Sequence, residues 1–248
     1  MKTALFVTAA LLVAIAVQAY AFGSLVSSFH APGDFPNGVG YRAANLYIGT
    51  NTPDMCWRTT TTGSIVRSHT SPTTDTMGVA AGVIGSTGFY WVASHDPRMI
   101  YQVGFNSGSI YHSFSVPSTY PYGVAFRSAS YIYHTDSGTA PRLYLMHPTN
   151  GSVYASYTLS FDPNDVAYDA TGYLWIVDSA RIVRKCTLTG STVDSFSVSS
   201  YGYPSGCAFD GTYVWVGFNA PLHSILQFTT TGSGVTPTSL GKVKALFR

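Results

Sequence analysis

GSIYHSF, residues 108–114, is one of a set: GSLVSSF stands at 23–29, GSIVRSH at 63–69, GSVYASY at 151–157 and GSTVDSF at 190–196. A sixth copy begins at Gly232 as GSGVTPT and loses the pattern. Successive starts lie 40, 45, 43, 39 and 42 residues apart. A fixed period of that size is read before any local structure, because repeat chains bury a core only by stacking one supersecondary unit on the next.

Three further patterns follow each copy in constant order. First comes a short run of small and apolar residues: PNGVGYR (36–42), TMGVAAG (76–82), PYGVAFR (121–127), PNDVAYD (163–169) and PSGCAFD (204–210). An aromatic-rich run follows: NLYIGT (45–50), FYWVAS (89–94), YIYHTD (131–136), YLWIVD (173–178) and YVWVGF (213–218). Trp91, Trp175 and Trp215 share one register, which Tyr47 and Tyr133 occupy in the other two copies. A third run, such as RMIYQV (98–103) or RLYLMH (142–147), ends in a turn of the type TTTG, FNSG or PTNG. Each run is short, β-branched and aromatic, and bounded by Gly, Pro, Asn or Ser, which is the signature of strands.

Four antiparallel strands in about 40 residues is the period of a propeller blade. The expected fold is therefore all-β, a five-bladed β-propeller of four-stranded antiparallel blades. The small residues of the first strand suit the crowded innermost position, and the aromatic second strand suits the wider space between blades. The seven-residue pattern is then the outermost strand, with alternate residues facing the packing layer and solvent. Its first copy precedes any complete blade, so it is expected to close the last one, with Ser24–His30 beside Ser224–Thr229. Closure of this kind leaves few open edges, and the decayed sixth copy is one whose place is taken.

Repeats reading YPYGVAF…YLWIVDSARIVRKCTLTG resemble those of NHL-repeat and streptogramin-lyase-like propellers, over essentially the whole chain after the leader. The resemblance implies the propeller fold. It also raises an enzymatic expectation, because streptogramin lyases and gluconolactonase-type propellers rely on a glutamate in their catalytic or metal-binding set. This chain contains no glutamate, so only an aspartate has the chemistry to stand in.

The first residues, MKTALFVTAALLVAIAVQAYA, have a charged start, an apolar run and Ala19-Tyr20-Ala21. This reads as a secretory signal peptide over 1–21, cut after Ala21. The run from Ala4 to Val17 is shorter than the roughly 20 residues that span a bilayer, and no later segment is long and apolar enough to do so. The expected domains are the signal peptide 1–21, the propeller 22–235 and a basic-apolar tail 236–248. With 10% charged residues and a formal charge of +2, the chain lacks the basic face that nucleic acid demands. Cys56, Cys186 and Cys207 cannot all pair within one chain, so at most one bridge is expected.

Loops from outer strand to next inner strand, and from second to third strand, share one end of the propeller, the top. Most of the aspartates are expected there, Asp165 among them, together with Tyr120, Tyr122, Tyr201 and Tyr203. An acidic, aromatic mouth points to a binding face, with Tyr120, Tyr122, Tyr201, Tyr203, Asp136 and Asp178 as candidate binding residues. The opposing reading makes these aspartates loop partners of Arg98, Arg142 and Arg181, worth about 0–1 kcal/mol each. The seven histidines are scattered; His95-Asp96 is the one adjacent His–carboxylate pair, and no metal-ligand spacing, CxxC or G-x-S-x-G is present. The expectation is a secreted, non-catalytic binding module without cofactor or metal, with an extracellular glycan or surface polymer as partner. One alternative is a structural subunit of a surface layer or fibre, forming a homo-oligomer through the tail, where Lys242, Lys244 and Arg248 accompany Val243, Leu246 and Phe247. The other is a lyase or hydrolase with a top-face Asp/His site.

Overall fold

The computed structural model describes residues 21–231. The expected signal peptide up to residue 20, the decayed sixth copy and the tail 236–248 lie outside the described residues. Strands follow in chain order: β1 (Leu25–His30), β2 (Asp34–Arg42), β3 (Asn45–Thr52), β4 (Asp54–Thr60), β5 (Ile65–Thr70), β6 (Thr76–Ile84), β7 (Thr87–Ser94), β8 (Met99–Gly104), β9 (Ile110–Ser115) and β10 (Pro121–Ser128). The second half adds β11 (Tyr131–Asp136), β12 (Arg142–Met146), β13 (Val153–Thr158), β14 (Pro163–Asp169), β15 (Tyr173–Asp178), β16 (Ile182–Thr187), β17 (Thr192–Ser197), β18 (Pro204–Phe209), β19 (Tyr213–Phe218) and β20 (Ser224–Thr229). They form five four-stranded antiparallel sheets, β2–β5, β6–β9, β10–β13, β14–β17 and β18–β20 with β1. Inner strands β2, β6, β10, β14 and β18 pack in a ring, each against the next and β18 against β2. The chain is a five-bladed β-propeller.

Closure occurs as the repeat demanded. β1 pairs with β20 from Leu25↔Phe228 to His30↔Ser224. At the turn, Thr229 N donates to Ser24 O (3.0 Å) and Gly23 N to Thr229 O (3.0 Å), while Ser24 N reaches Thr229 Oγ1 at 2.9 Å. In the first blade Thr60 N donates to Ser64 O (2.9 Å), Gly63 N to Thr60 O (3.1 Å) and Ser64 N to Thr60 Oγ1 (3.1 Å). The closing junction is thus an ordinary hairpin turn of this propeller with one peptide bond missing.

The outer strands depart from the expected alternation. Most of their residues are exposed, on both faces, because blades splay apart at the rim; the last residue of the seven-residue pattern turns inward in every copy. There it meets the glycine that opens the pattern of a neighbouring blade: Phe29 lies over Gly63, His69 over Gly108, Phe114 over Gly151 and Phe196 over Gly23. Gly63 and Gly108 have φ of 88° and 68°, in the left-handed region, and an added Cβ would overlap the ring above. In four copies the two ends of the seven-residue pattern therefore touch, each from a different copy, and at the fifth glycine, Gly190, Leu159 takes the aromatic's place.

Trp91, Trp175, Trp215 and Tyr133 are at most 1% exposed and fill the spaces between blades. Residues from a neighbouring third-to-fourth strand turn cap four of these junctions: Phe22 on Trp175, Phe105 stacked on Tyr47, the Pro148 carbonyl on Trp91 Nε1 and Leu188 beside Tyr133. The fifth junction, above Trp215, meets only Thr61 and Thr62 and keeps an open cleft of about 420 Å³. All three cysteines are buried and free.

Candidate functional site

Each inner strand carries Pro/Thr-x-Gly/Asp at or near its start, and its pairing with the second strand slips by one residue at x. A β-bulge re-aims the extra side chain. Repeated five times, it directs Asn37, Met77, Tyr122, Asn164 and Ser205 into one bowl at the top of the propeller. Asn51, Thr52 and Asn219 from the second-strand ends, with Phe35 at the start of β2 and Asp75 and Tyr203 from the loops, complete a cavity of about 430 Å³.

Carboxamides knit its floor. Asn37 Nδ2 donates to the Thr76 carbonyl (3.1 Å) and Asn164 Nδ2 to the Pro204 carbonyl (2.8 Å), each crossing to the next blade. Asn219 Nδ2 donates to Asn37 Oδ1 at 2.8 Å, and Asn51 Oδ1 accepts from Thr76 N at 3.0 Å. Asn164 Oδ1, the Asn51 amide donors and the phenols of Tyr122 and Tyr203 make no hydrogen bond among the described residues, and all four residues line the cavity. Among the described residues no Lys or Arg lines the bowl. Burial pushes the Tyr122 phenol above its ordinary range, and Tyr203, Asp162 and Asp75 nearby push it in the same direction. The bowl is a set of neutral donors and acceptors with a mildly acidic bias.

On its lip, Asp75 Oδ2 holds His95 Nδ1 at 3.1 Å. The imidazole stacks on Tyr120, with centroids 5.3 Å apart and planes 13° off parallel. Beyond it lies a second, shallower cavity of about 460 Å³ lined by His95, Asp96, Arg98, Thr119 and Tyr120.

The six candidate residues have different placements. Tyr122 and Tyr203 come together in the bowl, and Tyr120 stands at its side on His95. Tyr201 packs against Phe228 and Phe218, at 5.4 and 6.1 Å between centroids. Asp136 accepts from the backbone N–H of Thr119, Tyr120 and Gly138 and so organises its own loop. Asp178 accepts from Ile182 N (2.8 Å) and Arg184 Nε (2.6 Å) and is fully buried. The loop ion pairs expected for Asp96, Asp136 and Asp178 with Arg98, Arg142 and Arg181 do not form: a strand residue, Arg184, takes Asp178, and His95 pairs with Asp75 rather than with its neighbour Asp96. Asp165, expected on the top face, lies inside β14 on the propeller axis. The four asparagines and Ser205 escape a reading by sequence, although they leave a trace: Asn37, Asn164 and Ser205 sit between a proline and the Gly or Asp that follows. No group of three or more His, Cys or Asp side chains among the described residues is placed to hold a metal ion.

No family model matches the chain, and no curated protein does. Among solved structures it is similar to glutaminyl cyclase from Myxococcus xanthus, with 10% identity, a TM-score of 0.67, and coverage of 84% of this chain and 97% of that one. It is also similar to a streptogramin B lyase, with 18% identity, a TM-score of 0.51 and coverage of 83% and 70%. The WD40 propeller domain of Doa1 matches at 13% identity and a TM-score of 0.53, over 79% of this chain and 64% of that one. Two of these are enzymes by name and one is not. At such identities the likeness is one of fold, a β-propeller, and that is the fold the repeats imply.

Proposed function

We propose that this is a secreted, non-catalytic binding module whose top-face bowl takes a neutral, hydroxyl-rich ligand, with an extracellular polysaccharide as the leading class. The observation that carries the reading is the chemistry of the lining. Unengaged Asn and Tyr groups offer donors and acceptors to hydroxyls, phenol rings offer flat apolar area, and among the described residues no Lys or Arg lines the bowl to recruit phosphate or carboxylate. The cavity of about 430 Å³ falls in the range of small-ligand sites. The leader pattern of residues 1–21 supports the extracellular setting.

A glycan array followed by calorimetry on the hits tests this. Neutral glycans should bind, acidic ones should not, and Tyr122→Ala with Tyr203→Ala should weaken binding at least about tenfold, or 1.4 kcal/mol. Binding that is absent, confined to acidic glycans or untouched by the double substitution would remove the proposal. The Asp75–His95 pair favours a second reading, in which His95 Nε2 is a general base oriented through Nδ1–H by the carboxylate. Turnover of a bound glycan that disappears in His95→Ala, with binding retained, would decide for it.

A further inference from the structure

The residue after each bulge is Gly38, Gly78, Gly123, Asp165 or Gly206. Four glycines let the inner strands approach until backbone meets backbone: an added Cβ would overlap Val79 N at Gly38, the Tyr122 carbonyl at Gly78 and the Asp165 backbone at Gly123. The fourth blade alone places a side chain in that ring. Asp165 is fully buried. Its Oδ2 accepts from Cys207 N (2.7 Å) and Val39 N (3.4 Å) and its Oδ1 from Val166 N (2.9 Å), while the Val124 N–H also bears on the carboxylate and favours its charged form. Those four amides occupy the same repeat position in four different blades.

We propose that the propeller axis is a small-anion site built of backbone N–H groups, and that the chain fills it permanently with its own Asp165 carboxylate. Convergent amides form such anion-binding concavities wherever consecutive N–H groups point to one spot. A buried carboxylate without a cationic partner is costly, and among the described residues no Lys, Arg or His pairs with Asp165. The backbone N–H groups supply the compensation, since accepting several backbone bonds favours the charged form of a carboxylate. Burial acts the other way and pushes the carboxyl upward. Yet every hydrogen-bonding neighbour of its oxygens is a donor, so a carboxylic proton has no acceptor to reach. The single carboxylate also explains the four glycines. A second acid would bring like charges together at the axis, and any second side chain would collide with backbone. The ligand class that fits the emptied ring is a small monovalent anion, formate above all, which reproduces the carboxylate itself.

The test uses D165G and D165N at constant ionic strength, with melting followed against formate, chloride and a bulky anion as control. D165G should melt about 5–10 °C below the parent and recover with formate in a saturable way, with little response to the bulky anion. In ¹H–¹⁵N spectra of D165G, the amides of Val39, Val124, Val166 and Cys207 should shift together on formate titration. D165N should also be destabilised, because its NH₂ would face N–H groups. A D165G protein indifferent to small anions, or a D165N protein as stable as the parent, overturns the proposal. Should D165G fail to fold, the stability of D165N and the yield of D165G refolded with and without formate decide the question in the same way.

Discussion

His134 is a histidine that folding keeps neutral. It is fully buried on β11, where Nδ1 donates to the Gly123 carbonyl at 2.9 Å and Nε2 accepts from the Ser118 hydroxyl at 2.6 Å. Burial lowers its pKa from 6.5 to about 4. The unfolded chain therefore binds the proton more readily, and the stability conferred by neutral His134 is complete above pH 6.5 and fades as pH falls towards 4. Such a shift corresponds to about 3 kcal/mol over that window. Urea titrations of the parent and His134→Gln at pH 7.5 and 4.5 should show a smaller acid-induced loss in the variant; equal losses would place the sensitivity elsewhere. At this scale the sequence is least informative. Tyr122 and Tyr203 are visible as aromatics in top loops, but Asn37 and Asn164 read as turn residues beside proline. Only the bulge, a matter of register between two strands, turns them into the bowl. His134 looks like one scattered histidine among seven, since burial is a property of what packs around a residue.

The strands, by contrast, are legible because the repeat prints each one five times over. Comparing copies gives the order of inner, aromatic, third and outer strands without knowledge of any contact, and it places the tryptophans between blades. What it misses is the splay of the rim, which leaves the outer strands exposed on both faces and makes the heptad's final aromatic a contact between blades. The repeat also shows where one element falls short. Phe22 caps Trp175 from the position before Gly23, and Thr62 holds the matching position before Gly63 without filling the cleft at Trp215. Thr62→Phe should close that cleft and raise stability by about 1 kcal/mol, the usual return for filling a cavity. Calorimetric melting is the measure, and an unchanged or lower Tm would mean that the turn cannot deliver the ring to the indole.

As a whole molecule the propeller is a ring with one cut, and the cut lies where a turn would be. Joining Thr229 directly to Ala21 restores the spacing of Thr60 to Gly63, two residues between Thr and Gly. A permutant that starts at Gly63, runs through Thr229 to Ala21 and ends at Thr62 should therefore fold, with a Tm within a few degrees of a chain trimmed to the described residues. Circular dichroism and melting would show it; an unfolded or aggregated product would mean that the Gly63 turn must be intact for the ring to form. The closure is readable because the first heptad has no blade before it and the sixth is decayed.

The same seam determines how the ring answers to force. The two ends of the described chain leave the molecule side by side, at one end of the antiparallel pair β1 and β20, where Gly23 N lies 3.0 Å from Thr229 O. A tension applied through residues 21 and 231 falls on that first rung alone. When it yields the load moves to the next, so the pair opens rung by rung like a zip instead of resisting in shear along its length. A pull along the strands, between points at opposite ends of a pair, loads several rungs at once. The molecule is thus mechanically directional: firm when handled by its blades, and ready to open when drawn apart by its ends.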